Sequence, residues 1–250
     1  DMNTNHKLLI ARINDLFSLC DKHCEMKCSD FLDGGELAVI EDEFQIPYGY
    51  NTLFFGGYEN AERKVLCVFP EWQESEESEV PISVIRFDVP KFRKLTHRDY
   101  LGTLMSLGIE RDTVGDILVD NGRTVVFVKS ELKDYIESQI FKIGGAGVKI
   151  VQPNLNSLPQ GRGTEEMSLT VSSLRFDNIV AAVSGLSRDK TAKLILSGET
   201  TLNFVTTQNV SCQVKEGDTF TVRGKGKFKL DKILGETKKG RRKILVIHFR

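Results

Sequence analysis

Between Val80 and Val151 the chain switches between two apolar periods in a fixed order, and few topologies accept that order. Val80–Phe87 alternates as a strand does, and Pro90 ends it; His97–Leu107 repeats at helical spacing and stops at Gly108. Val114–Val119 is a predicted strand, Asn121-Gly122 a hairpin turn, and Thr124–Val128 the returning strand. Ser130 opens a predicted helix to about Phe141, and Val148–Val151 closes as a strand.

Strand, helix, two strands, helix, strand is the ferredoxin-like split βαβ plan, so the predicted class is α+β with a βαββαβ middle domain. That plan supports RNA-binding modules and many unrelated activities, so it decides nothing about function. The aromatic strand signature with which RNA-recognition motifs stack bases is missing from these strands. Upstream, Leu8, Leu9, Ile13, Leu16 and Phe17 recur at helical spacing. A short helix over Gly35–Phe44, a turn at Phe54-Phe55-Gly56-Gly57-Tyr58 and an apolar strand Val65–Phe69 follow. Glu71–Glu79 carries like charges and reads as an exposed linker. Gln152–Glu166, rich in Pro, Gly, Asn and Ser and without periodicity, marks a boundary. The predicted organisation is an N-terminal helical and mixed domain at 1–79, the middle domain at 80–152, a linker at 153–170 and a small C-terminal α+β domain at 171–250.

Apolar residues make up 40 % and charged residues 28 % of the chain, an ordinary soluble composition. No apolar run reaches the roughly 18 residues that span a bilayer, and no secretory leader is evident, so a cytoplasmic location without a membrane partner is expected. The five cysteines are odd in number, which argues against a disulfide framework. Cys20, Cys24 and Cys28 fall at i, i+4 and i+8 with His23 among them, a set that zinc could use in principle. Structural zinc sites favour short Cys-x-x-Cys hooks on turns, and no second hook exists; a half-buried helix face is predicted, with no metal and no cofactor.

The net charge of −1 conceals an asymmetry. Residues 174–250 hold 16 Lys+Arg against 7 Asp+Glu, a balance of +9, while 1–173 hold 18 against 28, a balance of −10. An acidic front joined to a basic back suggests that the back meets a polyanion.

In that basic segment Phe176, Ile179, Val180 and Val183 share one helix face, with Arg175 and Asn178 on the other side. Gly185 breaks this helix, and Ser187 caps a second one that Gly198 ends, with Ala192 and Ile195 as its buried side and Lys190 and Lys193 pointing away. Arg188 sits in the first turn, beside backbone amides that themselves favour phosphate. Thr200–Val205 is a predicted strand around Asn203, and Glu216-Gly217-Asp218 a turn. Phe220 and Val222 point in and Arg223 out; after Lys225, Phe228 and Leu230 point in and Lys227 and Lys229 out. A lysine row beside Arg188 and Lys193 would make one contiguous basic surface. Gly224-Lys225-Gly226 lacks phosphate-loop spacing and reads as a bulge or turn.

Leu174-Arg175-Phe176-Asp177, Ser187-Arg188, Leu194-Ile195 with Gly198, Asn203 and Gly217-Asp218, in that order and spacing, resemble the S-four RNA-binding domain, a small α+β module. That domain usually has Leu where Phe176 stands and a valine-like residue near Thr201. Upstream, Phe31-Leu32-Asp33, Gly56-Gly57-Tyr58, Ala61-Glu62-Arg63, His97-Arg98-Asp99-Tyr100-Leu101-Gly102, Leu107-Gly108-Ile109 with Arg111, and Val114-Gly115-Asp116-Ile117 resemble the YlmH family of bacterial proteins. The resemblance covers nearly the whole chain. It implies binding to the large ribosomal subunit carrying stalled peptidyl-tRNA, in ribosome-associated quality control, with a looser tie to the cell-division gene neighbourhood.

The expected function is thus that of a monomeric, non-enzymatic protein gripping structured rRNA or tRNA through Arg175, Ser187, Arg188, Lys190, Lys193, Asn203, Arg223, Lys225, Lys227 and Lys229, with Asp177 orienting Arg175 or a backbone amide. The acidic front is expected to bind RNA poorly by itself and to orient the protein against ribosomal protein, or against the same RNA at a few local basic spots. His97-Arg98-Asp99 could suggest acid–base chemistry, but adjacent helix positions point about 100° apart, so a capped helix start is expected. Gly56-Gly57-Tyr58 reads either as a tight turn or as a ribosome contact. The alternative function is an RNA-modifying enzyme that uses the C-terminal domain for delivery. A pseudouridine synthase would need a catalytic Asp in a Gly-Arg-Leu-Asp context, and a methyltransferase a glycine-rich loop after its first strand. The Arg-x-Asp of this chain belongs to the basic module, and Gly144-Gly145-Ala146-Gly147 precedes a strand instead.

Overall fold

In the computed structural model, which describes residues 2–120, 122–159 and 164–249, the N-terminal apolar period folds as α1 (Met2–His23). Its Leu9, Ile13, Phe17 and Cys20 are buried. β1 (Lys27–Leu32) leads to α2 (Gly34–Glu43), started by a reciprocal cap: the Asp33 carboxylate accepts from the Glu36 amide at 2.9 Å, and the Glu36 carboxylate from the Asp33 amide at 3.0 Å. β2 (Tyr50–Phe55) and β3 (Lys64–Pro70) complete an antiparallel sheet of order β1-β3-β2.

The middle segment runs β4 (Ile82–Asp88), α3 (His97–Ser106), β5 (Val114–Asp120), β6 (Arg123–Lys129) and α4 (Lys133–Gln139). A two-residue hairpin pairs β7 (Lys142–Ile143) with β8 (Ala146–Gly147), and β9 (Lys149–Val151) ends the segment. Sheet order is β5-β6-β4-β9 with every neighbour antiparallel, the order in which two βαβ halves interleave. At the β5–β6 turn, Asn121 lies outside the described residues.

Residues 1–79 and 80–152 do not pack as separate domains. Leu66 and Val68 of β3 join α1 and α2 on one face of the first sheet. Val65, Cys67 and Phe69 on its other face meet Val125 and Phe127 of β6. Val126 and Val128, on the opposite side of β6, pack under α3 and α4 with Tyr100, Leu104 and Ile136. Both central strands are near-continuous apolar runs because both of their faces are covered. The four layers form one compact unit, Asp1–Gly161.

The cysteines also depart from the expected helix face. Cys20 is buried in α1, whereas Cys24 lies beyond the helix end at φ 52° and is exposed. Cys28 sits on β1 opposite Cys67 of β3, and the two form a disulfide, so the odd count hid one pair.

The second unit, Arg162–Arg250, begins earlier than expected. Residues 164–170, read as linker, form most of β10 (Thr164–Val171), whose Met167, Leu169 and Val171 face the core. Then come α5 (Phe176–Ser184), α6 (Arg188–Leu196), β11 (Thr200–Leu202), β12 (Val205–Thr206), β13 (Thr219–Val222), β14 (Gly226–Glu236) and β15 (Arg242–Phe249). The antiparallel sheet has the order β10-β15-β14-β13-β11-β12. Phe176, Ile179 and Val180 of α5 and Ile195 of α6 close over Phe220, Phe228, Leu230, Ile244 and Val246. Thr191, one turn before Ile195, is the fully buried partner on α6; Ala192, expected there, is only partly covered. No helix among the described residues is long and apolar enough to cross a membrane.

Candidate nucleic-acid interface

α5 starts against the 209–214 loop, whose Cys212 and Val210 carbonyls accept from the Phe176 and Asp177 amides at 2.8 and 3.0 Å. Arg175 occupies the cap position and donates from Nε and a terminal nitrogen to the two Asp177 oxygens at 3.1 and 2.8 Å. That bidentate grip holds the Asp177 carboxyl below the usual carboxylate range, helped by the Asn178 amide and the Arg188 charge. Asp177 therefore orients Arg175 and a backbone amide together, as expected. Arg175 is still 42 % exposed, so its outer edge stays available.

Ser187 occupies the cap position of α6, yet its hydroxyl makes no capping hydrogen bond. Arg188, Lys190 and Lys193 are all exposed. Among the described residues none of the three has a hydrogen-bonding or ion-pairing side chain as partner, although Arg188 lies near enough to Asp177 to bias its protonation. The starts of α5 and α6 thus set a paired and an unpaired arginine side by side.

The strand cations fall elsewhere. Phe228 and Leu230 face the helices, so Lys227 and Lys229, one residue out of phase on β14, emerge on the other face of the sheet. The single surface expected to join them to Arg188 and Lys193 is divided by the sheet itself. Lys227 lies over the rings of Phe204 and Phe249, 5.7 and 5.3 Å from their centroids. Lys229 makes a loose pair with Asp231 at 3.7 Å. Arg223 and Lys225 stand at the β13–β14 turn at the edge between these faces; Arg223 pairs loosely with Glu199 at 3.7 Å and is 77 % exposed.

Asn203 belongs to a tight turn rather than to a strand: with Phe204 it adopts positive φ, 47° and 68°, between β11 and β12. Its side-chain amide donates to Asp218 at 2.9 Å and its oxygen accepts from the Thr219 amide at 3.0 Å. Both ends are engaged in tying this turn to the Glu216–Asp218 turn.

Sequence reasoning passed over the tip of the β14–β15 hairpin, where Lys238, Lys239 and Lys243 are exposed. Arg241 there donates to the Thr170 carbonyl at 3.0 Å and Arg242 pairs with Glu236 at 2.8 Å. The signal was present, a Lys-Lys-Gly-Arg-Arg-Lys turn between two alternating strands.

The upstream motifs converge inside the first unit. Asp116 on β5 is 9 % exposed and accepts from the Tyr58 hydroxyl and the Glu62 amide, both at 2.7 Å, and from the Arg63 amide at 3.0 Å. Arg63 donates to the carbonyls of Val114 at 3.1 Å and Phe31 at 3.3 Å, and Arg111 also donates to Val114. Burial, and next the Arg63 charge, push the Arg111 guanidinium down to about 10. Burial, then Asp116, push the Tyr58 phenol far above its ordinary value. Gly57, at φ +99°, lies against the Phe127 ring on which Tyr58 stacks at 4.9 Å. A Cβ on Gly115 would sit 2.6 Å from the Phe31 ring. Gly56-Gly57-Tyr58 is therefore a turn aimed inward, part of a weld between the two sheets. His97-Arg98-Asp99 is a helix start, with the Asp99 carboxylate accepting from the Thr96 amide and hydroxyl at 2.7 and 2.8 Å.

A family model described as "Putative RNA-binding domain in YlmH" matches residues 74–157. The Ribosome-associated protein quality control protein P2 of Bacillus subtilis (strain 168) is 35 % identical over 218 residues, 86 % of this chain and 84 % of that one. The solved Cell division protein ylmH from Streptococcus pneumoniae superposes with a TM-score of 0.53 at 18 % identity, over 62 % of this chain and 94 % of that one, a likeness of fold alone. The family description falls on the middle segment, upstream of the module that charge singled out.

Proposed function

The chain belongs to the YlmH family, and on that footing we propose that it is a non-enzymatic, ribosome-associated RNA-binding protein. The carrying observation is the set of cations on α6, Arg188, Lys190 and Lys193, which stand exposed and, among the described residues, without an ion-pairing carboxylate, beside the Arg175–Asp177 pair. Cations left unpaired on one helix can neutralise phosphates and release their counterions, which gives a salt-dependent grip on structured RNA. The finer reading, which follows from the family resemblance, is a large ribosomal subunit with stalled peptidyl-tRNA in the cytoplasm, met by a monomer; the Bacillus subtilis relative, a ribosome-associated quality control protein, supports its ribosomal part. Ser187, Lys225 and the Arg223–Lys229 strand belong to the same reading as flanking or opposite-face contacts, while Asn203 keeps the fold of its turn.

The enzyme reading has little to stand on. Gly144 and Gly145 form the turn of the β7–β8 hairpin rather than a strand-to-helix loop, and Asp177 is held by Arg175. The test is co-sedimentation with large subunits and fluorescence anisotropy on RNA for Arg188→Glu. Affinity falls and the slope of log K against log salt shrinks by about 1, with no change in unfolding temperature. An unchanged affinity and slope would sink the assignment.

A further inference from the structure

The first unit is acidic, yet residues 91–98 hold four Lys+Arg and no Asp or Glu. The segment opens as a β-turn, with the Arg93 amide donating to the Pro90 carbonyl at 2.9 Å, which places Lys91 and Phe92 at the corners. Lys91, Phe92, Arg93, Lys94 and Arg98 are all exposed, Phe92 by 83 %.

Two hairpin turns pack against this loop. A Cβ on Gly122 would lie 3.0 Å from the Lys91 side chain, and one on Gly145 3.6 Å from the Arg93 guanidinium. On Gly144 it would lie 2.8 Å from Leu95 and 3.5 Å from the Asp99 carboxyl. The loop is thereby seated at one end of the middle sheet, with exposed Lys142 at the base of the second hairpin.

What sets these cations apart is that they are clustered in one short loop and lack carboxylate partners among the described residues. Elsewhere in the unit Arg12 pairs with Glu36, Lys27 with Glu25 and Lys133 with Glu137, and the exposed lysines outside such pairs, Lys7, Lys22 and Lys149, are scattered along the chain. Around this loop the carboxylates are otherwise engaged, Asp88 by Arg86, Asp120 by Arg123 and Asp99 by Thr96. Among the described residues the side chains of Lys91, Arg93, Lys94, Arg98 and Lys142 make no hydrogen bond or ion pair with another side chain, although the Arg98 charge helps hold the Asp99 carboxyl low. Phe92, with Lys91 and Arg93 on either side, is a ring set among cations, which is poor for docking a protein, since such docking favours a contiguous apolar patch. It suits an RNA strand, whose phosphates take the charges and whose unpaired base takes the ring.

We propose that the Pro90–Arg98 loop is a second RNA-binding site, in which Lys91, Arg93, Lys94 and Arg98 hold the backbone and Phe92 stacks on an unpaired base. The inference rests on the RNA-binding reading above and assigns a face and a chemistry to the segment matched by the family model.

The experiment uses the full chain and two fluorescent RNA probes, a hairpin with an unpaired loop and the same stem closed as a blunt duplex. Phe92→Ala weakens binding of the looped probe about tenfold and leaves the duplex unchanged, while Phe92→Tyr keeps wild-type affinity. Reversing Lys91, Arg93 and Lys94 together to Glu weakens both probes and reduces the salt slope on the looped one by about 2. The loop is overturned as an RNA site if these variants bind both probes as wild type does while Arg188→Glu binds weakly, and the C-terminal reading then stands. Equal loss on both probes in Phe92→Ala overturns the stacking. Loss of ribosome co-sedimentation with both RNA affinities intact assigns the loop to a protein contact instead. A wild-type chain that binds neither probe at low salt overturns this inference and the reading beneath it.

Discussion

Each unit sets two arginines near one aspartate, and the outcomes are opposite. In the first, Arg63 and Arg111 converge half-buried near the buried Asp116, and both guanidinium groups donate to the Val114 carbonyl of the same unit. In the second, Arg175 and Arg188 flank Asp177 at the surface, and only Arg175 is tied down. A buried charge must find its whole complement within the chain, because an uncompensated one is severely destabilising. A surface charge gains little from its partner, so one left unpaired is cheap to keep and useful to a polyanion. The first group should govern stability and the second affinity.

Asp116→Ala is the hardest blow to that contrast. It strips acceptors from the Tyr58 hydroxyl and the Glu62 and Arg63 amides and removes one of the charges that compensate half-buried Arg111, so urea unfolding should show a loss of about 3–5 kcal/mol. A loss under about 1 kcal/mol, the range of a surface pair, would mean the weld is ornamental. Gly57→Ala comes next. The new methyl meets the Phe127 ring at a backbone angle that resists side chains, and about 1–3 kcal/mol of destabilisation is expected by the same measurement.

Tyr58 sharpens the contrast through pH. Its folded value is raised, so the stabilisation is complete below the ordinary tyrosine value near 10 and drains away as pH climbs beyond it. Wild type should lose stability between about pH 10 and 11.5 relative to Tyr58→Phe, and parallel curves for the two proteins would contradict this. The smallest effect belongs to Arg175→Ala. With the pair 42 % and 25 % exposed, stability should move by about 0–1 kcal/mol. The Asp177 carboxyl should nevertheless titrate at higher pH by NMR, since Arg175 is the main cause of its lowered value.

Local chemistry was legible and long-range pairing was not. Helix phase alone put Phe176, Ile179 and Val180 inside, and the two periods between Val80 and Val151 gave the element order of the middle sheet. The weld was invisible because Phe31, Tyr58, Arg63, Arg111 and Asp116 are far apart in sequence, and each looks like a surface motif until the two sheets meet. The split of the basic surface was different, since the sequence contained it. If Phe228 points toward the helices, Lys227 and Lys229 must point away from them. β10 escaped because its alternating Met167, Leu169 and Val171 follow directly on a Pro- and Gly-rich stretch. The Pro90–Arg98 loop escaped because a charge balance taken over 173 residues averages out a local excess.

The shared core of the first unit also limits how the protein can be dissected. A fragment cut at residues 74–157, the bounds of the family match, would keep β6 and lose β3. Val80, Val125 and Phe127, now covered by Phe31, Val65 and Phe69, would then face water as one apolar sheet surface. Such a surface invites self-association, so the fragment would aggregate before it could be assayed for RNA. Nucleic-acid work on this segment calls for the intact first unit.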